Sequence, residues 1–248
     1  MAALFTPPPQ SGQERDVLSP LAWRPVQAVP PMALGTFDHG EPALLSLSLC
    51  AARGTSDTGA LVSLLDREEQ EHAKRFRRPD DRDRYRLGRA TLRLVLGDWL
   101  DRDPASLRFA AGPHGKPELV GPGPSPLHCK PPQFNLSHSG DLILLAFHAD
   151  APVGVDVERL RPDLDWLPIA RRCLGPAELE SLLALAPAEA APAFVESWCA
   201  LEAGLKARGV GLARASDAKA RAMEPRLRRW RLDLPPGYAG AVALLQRA

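Results

Sequence analysis

Val153-Gly154-Val155-Asp156-Val157-Glu158 is the stretch on which the reading of this chain turns. Its valines alternate with Gly154, Asp156 and Glu158, the period-two pattern of a half-buried strand. Asp156 and Glu158 are two apart, so both carboxylates leave the same face. Further along stands a second stretch, Trp198-Cys199-Ala200-Leu201-Glu202-Ala203-Gly204-Leu205-Lys206. Trp198, Leu201 and Leu205 fall at i, i+3 and i+7 and make an apolar helical face, while Glu202 and Lys206, at i and i+4, neighbour each other beside it. If that helix packs on the strand, three carboxylates and one ammonium converge. Such a set suits Mg²⁺ with a cation beside it and a phosphate-bearing substrate. The plainer alternative makes Asp156 a turn acid and Glu202–Lys206 an ordinary helix pair worth ~0.3–0.5 kcal/mol.

Working outward, the chain has 248 residues, enough for one large domain or two small ones with a sizeable core. A hydrophobic fraction of 45% and a charged fraction of 25% are ordinary for a soluble globular protein. A net charge of +1 argues against a bulk nucleic-acid binder. The charge is uneven, however: Lys74 to Arg93 holds nine basic residues against three acids. Phosphate, an acidic partner or a solvated face would each account for that excess. Cys50, Cys129, Cys173 and Cys199 are far apart with no C-x-x-C, which fits a reducing compartment better than a zinc site or a disulfide framework. With no long apolar run and no secretory start, no membrane span is expected and the location is read as cytoplasmic.

In chain order, residues 1–40 are proline-rich and read as a loosely ordered, extended leader. Ala43 to Ala51 alternates leucine and serine as a strand does. Leu61 to Phe76 reads as a helix ending before Pro79, and Asp81 to Leu100 as a long one. Arg82, Arg86, Arg89 and Arg93 share a stripe of that long helix, by itself a solvated basic face. Leu107 to Ala110 reads as a short strand, Gly112 to Pro117 as a turn, and 121–132, with five prolines, as a connector. Asn135-Leu136-Ser137-His138-Ser139, before Gly140, reads as a tight turn whose hydroxyls and imidazole can donate to anionic oxygens. Leu142 to Phe147 is a continuous apolar run, hence a buried strand, turned back at Asp150-Ala151-Pro152 into a hairpin with Val153 to Glu158. Pro176 to Ala186 and Ala193 to Arg208 read as helices, the second closed by Gly209. Trp230 to Leu234 and Ala241 to Leu245 read as closing strands.

Gly154-Val155-Asp156 followed by Trp198, Glu202, Ala203 and Lys206 resembles the paired signature of the 4′-phosphopantetheinyl transferases of the Sfp (surfactin synthetase-activating) type, G-(V/I)-D and W-x-x-K-E-A-x-x-K. Further matches are Arg75, Phe76 and Arg84 in a pattern like R-F-x-x-x-x-D-x-x-R, Gly115-Lys116-Pro117, and Phe134 with Asn135 to Ser139. The resemblance covers roughly residues 60 to 248. It implies an α+β fold that is a pseudo-dimer of two similar halves, each a long helix packed on a small mainly antiparallel sheet. The division would be a leader at 1–40, an N-terminal half at 41–150 and a C-terminal half at 151–248 carrying the metal site. It also implies transfer of the 4′-phosphopantetheine arm of coenzyme A to a serine of an apo acyl or peptidyl carrier protein, with release of 3′,5′-ADP. Asp156, Glu158 and Glu202 would hold Mg²⁺, or Mn²⁺ in its place. Glu202 would also act as general base, with Lys206 and Asp156 completing the catalytic set. Coenzyme A would meet Arg84, Arg75, Lys116, Ser137, His138 and Lys206. A monomer acting without nucleic acid or membrane is expected.

Leu201 is the departure, standing where the family usually has a lysine. Since the carboxylates and Lys206 remain, the enzyme is read as active. Two rivals stay open: a coenzyme A or carrier-protein binding module that has lost catalysis, which Leu201 favours, and another Mg²⁺-dependent phosphoryl transferase.

Overall fold

Strand β6 explains the layering, because its unbroken apolar run serves two cores at once. The computed structural model describes residues 19–21, 41–53, 58–112, 115–121, 131–211 and 226–246. Its elements are β1 (Ser19–Leu21), β2 (Ala43–Ser48), α1 (Leu49–Arg53), α2 (Thr58–Ser63), α3 (Arg67–Lys74), α4 (Pro79–Leu100), β3 (Phe109–Ala111), β4 (Pro117–Leu119), β5 (Gln133–Ser139), β6 (Leu142–His148), β7 (Val153–Arg159), α5 (Leu167–Cys173), α6 (Pro176–Leu183), α7 (Pro187–Arg208), β8 (Leu227–Leu232) and β9 (Tyr238–Leu245). One sheet has the order β2-β6-β5, another β1-β8-β9-β7, and β3-β4 is a two-stranded hairpin. Leu142, Leu144 and Ala146 of β6 join Val153, Val155, Val157, Val242 and Leu244 in a core between the sheets. Ile143, Leu145 and Phe147, alternating with them, face the other way and join Leu92, Val95 and Leu96 of α4. A third core sets Ala239, Ala241 and Ala243 of β9 against Phe194, Cys199, Ala203 and Ala207 of α7. The order of layers is therefore α4, sheet, sheet, α7, an α+β architecture.

The two halves repeat one plan. A strand, a long helix and two further strands assemble in the order first-third-second, as β2-β6-β5 and as β7-β9-β8. Helices α4 and α7 have 22 residues each and start with proline, whose fixed φ suits the first turn. Both end on a left-handed residue, Asp101 and Gly209.

Several local expectations change. The helix expected over Leu61 to Phe76 is two helices, α2 and α3. Asp66 caps α3 by accepting from the Glu69 amide while the Glu69 side chain accepts from the Asp66 amide, a capping box that restarts the helix. Asn135 to Ser139 is strand β5 rather than a turn. Leu142 to Glu158 is not a hairpin: β6 is bonded on both edges by β2 and β5, so β7 crosses to the other sheet and pairs with β9. The arginine stripe is also divided. Arg93 is fully buried, bonding Glu69, Asp66 and the carbonyls of Pro104 and Leu107. Arg89 pairs with Glu69 and lies over the Phe109 ring at 4.4 Å. These two pin α3 to α4, and loss of either partner in such a buried pair costs about 3–5 kcal/mol. Of the leader, Ser19–Leu21 runs parallel along β8, and its remaining residues lie outside those described, as do 122–130 of the connector. Among the described residues no helix is long and apolar enough to cross a membrane, and Cys50, Cys173 and Cys199 are free thiols.

Candidate active site

Gly154 brings α7 down onto β7. A Cβ at that position would lie 2.1 Å from the Ala203 carbonyl oxygen and 2.4 Å from the Ala207 amide nitrogen, so the helix backbone occupies the space that a side chain would fill. The alanines of β9 pack against α7 along the neighbouring strand. Two residues along β7, Asp156 meets the same helix: Lys206 Nζ lies 2.6 Å from Asp156 Oδ1. The ammonium also donates to the Val155 carbonyl at 3.3 Å and to Ser137 Oγ at 3.2 Å. Ser137 donates to the same Asp156 oxygen at 2.9 Å, and Ser139 donates to Glu158 Oε2 at 2.9 Å.

The electrostatics show an acidic cluster under strain. Asp156 is buried, and its Oδ2 has no hydrogen-bond partner. A buried carboxylate oxygen left bare is costly and marks a place for a cation or proton donor. Burial pushes Glu202 above the usual carboxylate range, helped by the nearby charges of Asp156 and Glu158, while Lys206 opposes. Glu158 is likewise pushed up by burial, with Asp156 adding and the Ser139 hydroxyl opposing. Behind them Cys199 is buried and its thiol is driven far above its ordinary value, so it stays a neutral core group. Among the described residues no three His, Cys, Asp or Glu side chains are gathered as a ready metal cage. In this arrangement Lys206 supplies the positive charge that Asp156 requires.

The cationic and imidazole candidates stand on neighbouring elements. Arg84 on α4 donates to the Gly140 carbonyl at 2.5 Å and pairs with Asp81. Gly140 turns β5 into β6 at a φ of 56°, a conformation that favours glycine. His138 points to the other side of β5 from Ser137; desolvation first, then the charges of Arg84 and Lys206, lower its pKa. Lys116, from the β3–β4 hairpin, donates to the Val153 carbonyl at 3.1 Å and to the Lys206 carbonyl at 3.2 Å. Burial lowers its pKa. Arg75 stands exposed at the end of α3, next to Phe76, whose ring packs 5.5 Å from that of Tyr85. Leu201, in place of a lysine, packs against the apolar core beneath α7.

The fold thus brings Asp156, Lys206 and Ser137 into direct contact, sets Glu158 on Ser139 and Glu202 within electrostatic reach of them, holds His138, Arg84 and Lys116 on neighbouring elements, and leaves Arg75 at the surface. Tyr238 escaped the sequence reading, and Asn135 and Ser139 stood in its quoted motif without a site role. Tyr238 Oη accepts from the Asp141 amide at 2.8 Å and closes the turn beside Gly140. Asn135 and Ser139 share a face with Ser137, and their spacing of two was the available signal.

Two family models match the chain. Residues 54–150 match the model described as "4′-phosphopantetheinyl transferase, N-terminal", and 152–235 match the "4′-phosphopantetheinyl transferase superfamily". The 4′-phosphopantetheinyl transferase HetI of Nostoc sp. is 36% identical over 158 residues, 63% of this chain and 65% of that protein. The 4′-phosphopantetheinyl transferase ffp of Bacillus subtilis is 33% identical over 162 residues, 65% of this chain and 68% of that protein. A Synechocystis sp. protein provisionally named for the same activity is 36% identical over 150 residues, 60% of this chain and 59% of that protein. The matched stretch therefore spans less than two thirds of the Synechocystis and Nostoc proteins.

Proposed function

The chain belongs to the 4′-phosphopantetheinyl transferase family, and from that premise we propose that it moves the 4′-phosphopantetheine arm of coenzyme A onto a serine of an apo acyl or peptidyl carrier protein. The observation that carries this reading is the buried Asp156, with one oxygen bare and the other on Lys206 and Ser137, in the electrostatic field that also raises Glu202.

In this reaction the carrier serine oxygen attacks the β-phosphorus of coenzyme A. The bond from that phosphorus to the bridging oxygen breaks, and 3′,5′-ADP leaves with the electron pair. Glu202 takes the serine proton, its raised affinity for protons suiting a general base. Lys206 leaves Asp156 to meet the charge that grows on the departing phosphate. Arg84, His138, Ser137 and Lys116 hold the phosphates of the adenosine end, and Arg75 lies behind them as a further cationic contact. A divalent cation fits the bare Asp156 oxygen, and Asp156, Glu158 and Glu202 would hold it. Mg²⁺ there, or Mn²⁺, would neutralise the pyrophosphate when bound. We divide the chain into a leader at 1–40 and halves at 41–150 and 151–248, acting as a monomer in the cytoplasm.

Intact-mass spectrometry of an apo carrier incubated with this protein, coenzyme A and Mg²⁺ tests the proposal. A carrier heavier by one phosphopantetheine is expected, with Glu202→Gln slowing the gain by about 10²-fold or more while still binding coenzyme A. Coenzyme A binding without any gain across several carriers would leave a binding module with Leu201 as its mark. Neither binding nor gain would sink the reading.

A further inference from the structure

Strand β7 has two edges, and a backbone ladder satisfies one of them. Strand β9 pairs along its length, from Val153 opposite Leu244 to Arg159 opposite Tyr238. Strand β5 lies along the other edge but belongs to the other sheet and shares no ladder with β7. Side chains close that edge instead. Asn135 Oδ1 accepts the Val155 N–H at 2.8 Å, Ser137 Oγ the Val157 N–H at 3.4 Å and Ser139 Oγ the Arg159 N–H at 3.0 Å. Each residue of β5 meets the amide 20 positions later, so the three contacts keep a single register. Two carbonyls on this edge are covered as well: Val153 by Lys116 and Val155 by Lys206. A buried strand edge with bare amides is unfavourable and a template for wrong pairing, and capping it residue by residue removes both problems.

We propose that Asn135, Ser137 and Ser139 form a side-chain zipper that joins the two halves and, through the same hydroxyls, sets the orientation of the acidic cluster. Ser137 and Ser139 each accept a β7 amide and donate to the carboxylate of the residue just before it, Asp156 and Glu158 respectively. One hydroxyl therefore fixes both the register of β5 against β7 and the rotamer of an acid. Short side chains do this with little rotamer freedom to lose. Asn135 and Ser139 are positioning residues: they act through the strand and through Glu158, not on the substrate. The statement about the acids rests on the transferase reading, whereas the joint between the halves does not.

Amide exchange followed by NMR in the full-length protein, with Mn²⁺ affinity from water-proton relaxation, tests both parts. Ser139→Ala should speed exchange at the Arg159 amide about tenfold and leave Val155 unchanged. Asn135→Ala should do the reverse. Ser139→Ala should also weaken Mn²⁺ binding about tenfold, as loss of a partner behind a metal ligand does. Ser139→Thr, which keeps the hydroxyl, should restore both readouts. Ser139 is only partly buried, so its variants remain folded even if Asn135→Ala does not. Exchange at Arg159 indifferent to Ser139→Ala would overturn the zipper. Exchange that responds while Mn²⁺ affinity stays put would overturn the positioning of the acids. A wild-type protein that binds no Mn²⁺ and loads no carrier would instead refute the transferase reading, and the amide pattern would still decide the joint.

Discussion

His138 shows how a single side chain takes its chemistry from three elements. It is carried on β5, but Arg84 of α4 and Lys206 of α7 bring positive charge to it and Asp81 of α4 only partly offsets them. Desolvation and these charges lower its pKa from the ordinary 6.5, so the folded protein resists protonating it. The unfolded chain binds that proton first as pH falls. Stability should therefore drop as pH is lowered below 6.5, until the folded value is reached. Urea midpoints between pH 7.5 and 5.5 should fall for the wild type and fall less for His138→Asn; equal slopes would show that His138 carries no such coupling. A phosphate near this imidazole would raise its pKa again, so coenzyme A should flatten the same slope.

At the scale of elements, the contact of α7 with β7 decides whether there is a site at all. The helix supplies Glu202 and Lys206, the strand supplies Asp156 and Glu158, and Gly154 sets their separation. In Gly154→Ala the new methyl meets backbone atoms of α7, which cannot swing away as a side-chain tip would. Overpacking of this kind costs about 1–3 kcal/mol. For a chain of this size the melting temperature should fall by roughly 2–12 °C. Carrier loading should fall more than the fraction unfolded explains, because Lys206 is pushed off Asp156. A variant with wild-type melting and loading would mean that α7 shifts without consequence. The same reasoning explains why Leu201 is compatible with the site: it turns toward the apolar core, whereas Glu202 and Lys206 turn toward β7.

For the whole molecule, each half leaves one apolar sheet face that only the other half buries. Leu142, Leu144 and Ala146 of β6 are covered by Val153, Val155, Val157 and Val242 of the other sheet, and the β7 amides on the β5 side are bonded by side chains from across the joint. Two halves that share a core should open together. Native-state hydrogen exchange should give peptides from the centres of α4 and α7 the same highest opening free energy. Values differing by more than about 2 kcal/mol, a sizeable part of typical domain stability, would show that the halves fold independently.

The sequence by itself determined the elements whose signals are local. The period of two around Asp156, the helical spacing of Trp198, Leu201 and Leu205, and the apolar run of β6 needed no tertiary contact to be read. The catalytic candidates were legible for the same reason, because two carboxylates two apart on a strand share a face wherever that strand lies. Only the tertiary structure decided which edges pair and which polar groups are bound. Strand β6 has no free edge, so β7 crosses to the second sheet. Arg89 and Arg93 find acids on α3, so half of a stripe that looked solvent-facing is buried. Asn135, Ser137 and Ser139, whose composition suggested a turn, form a strand because β5 pairs along β6, and the amides of β7 give their side chains partners. Hydrogen bonds and ion pairs between distant residues depend on where the chain returns, and local patterns do not record that.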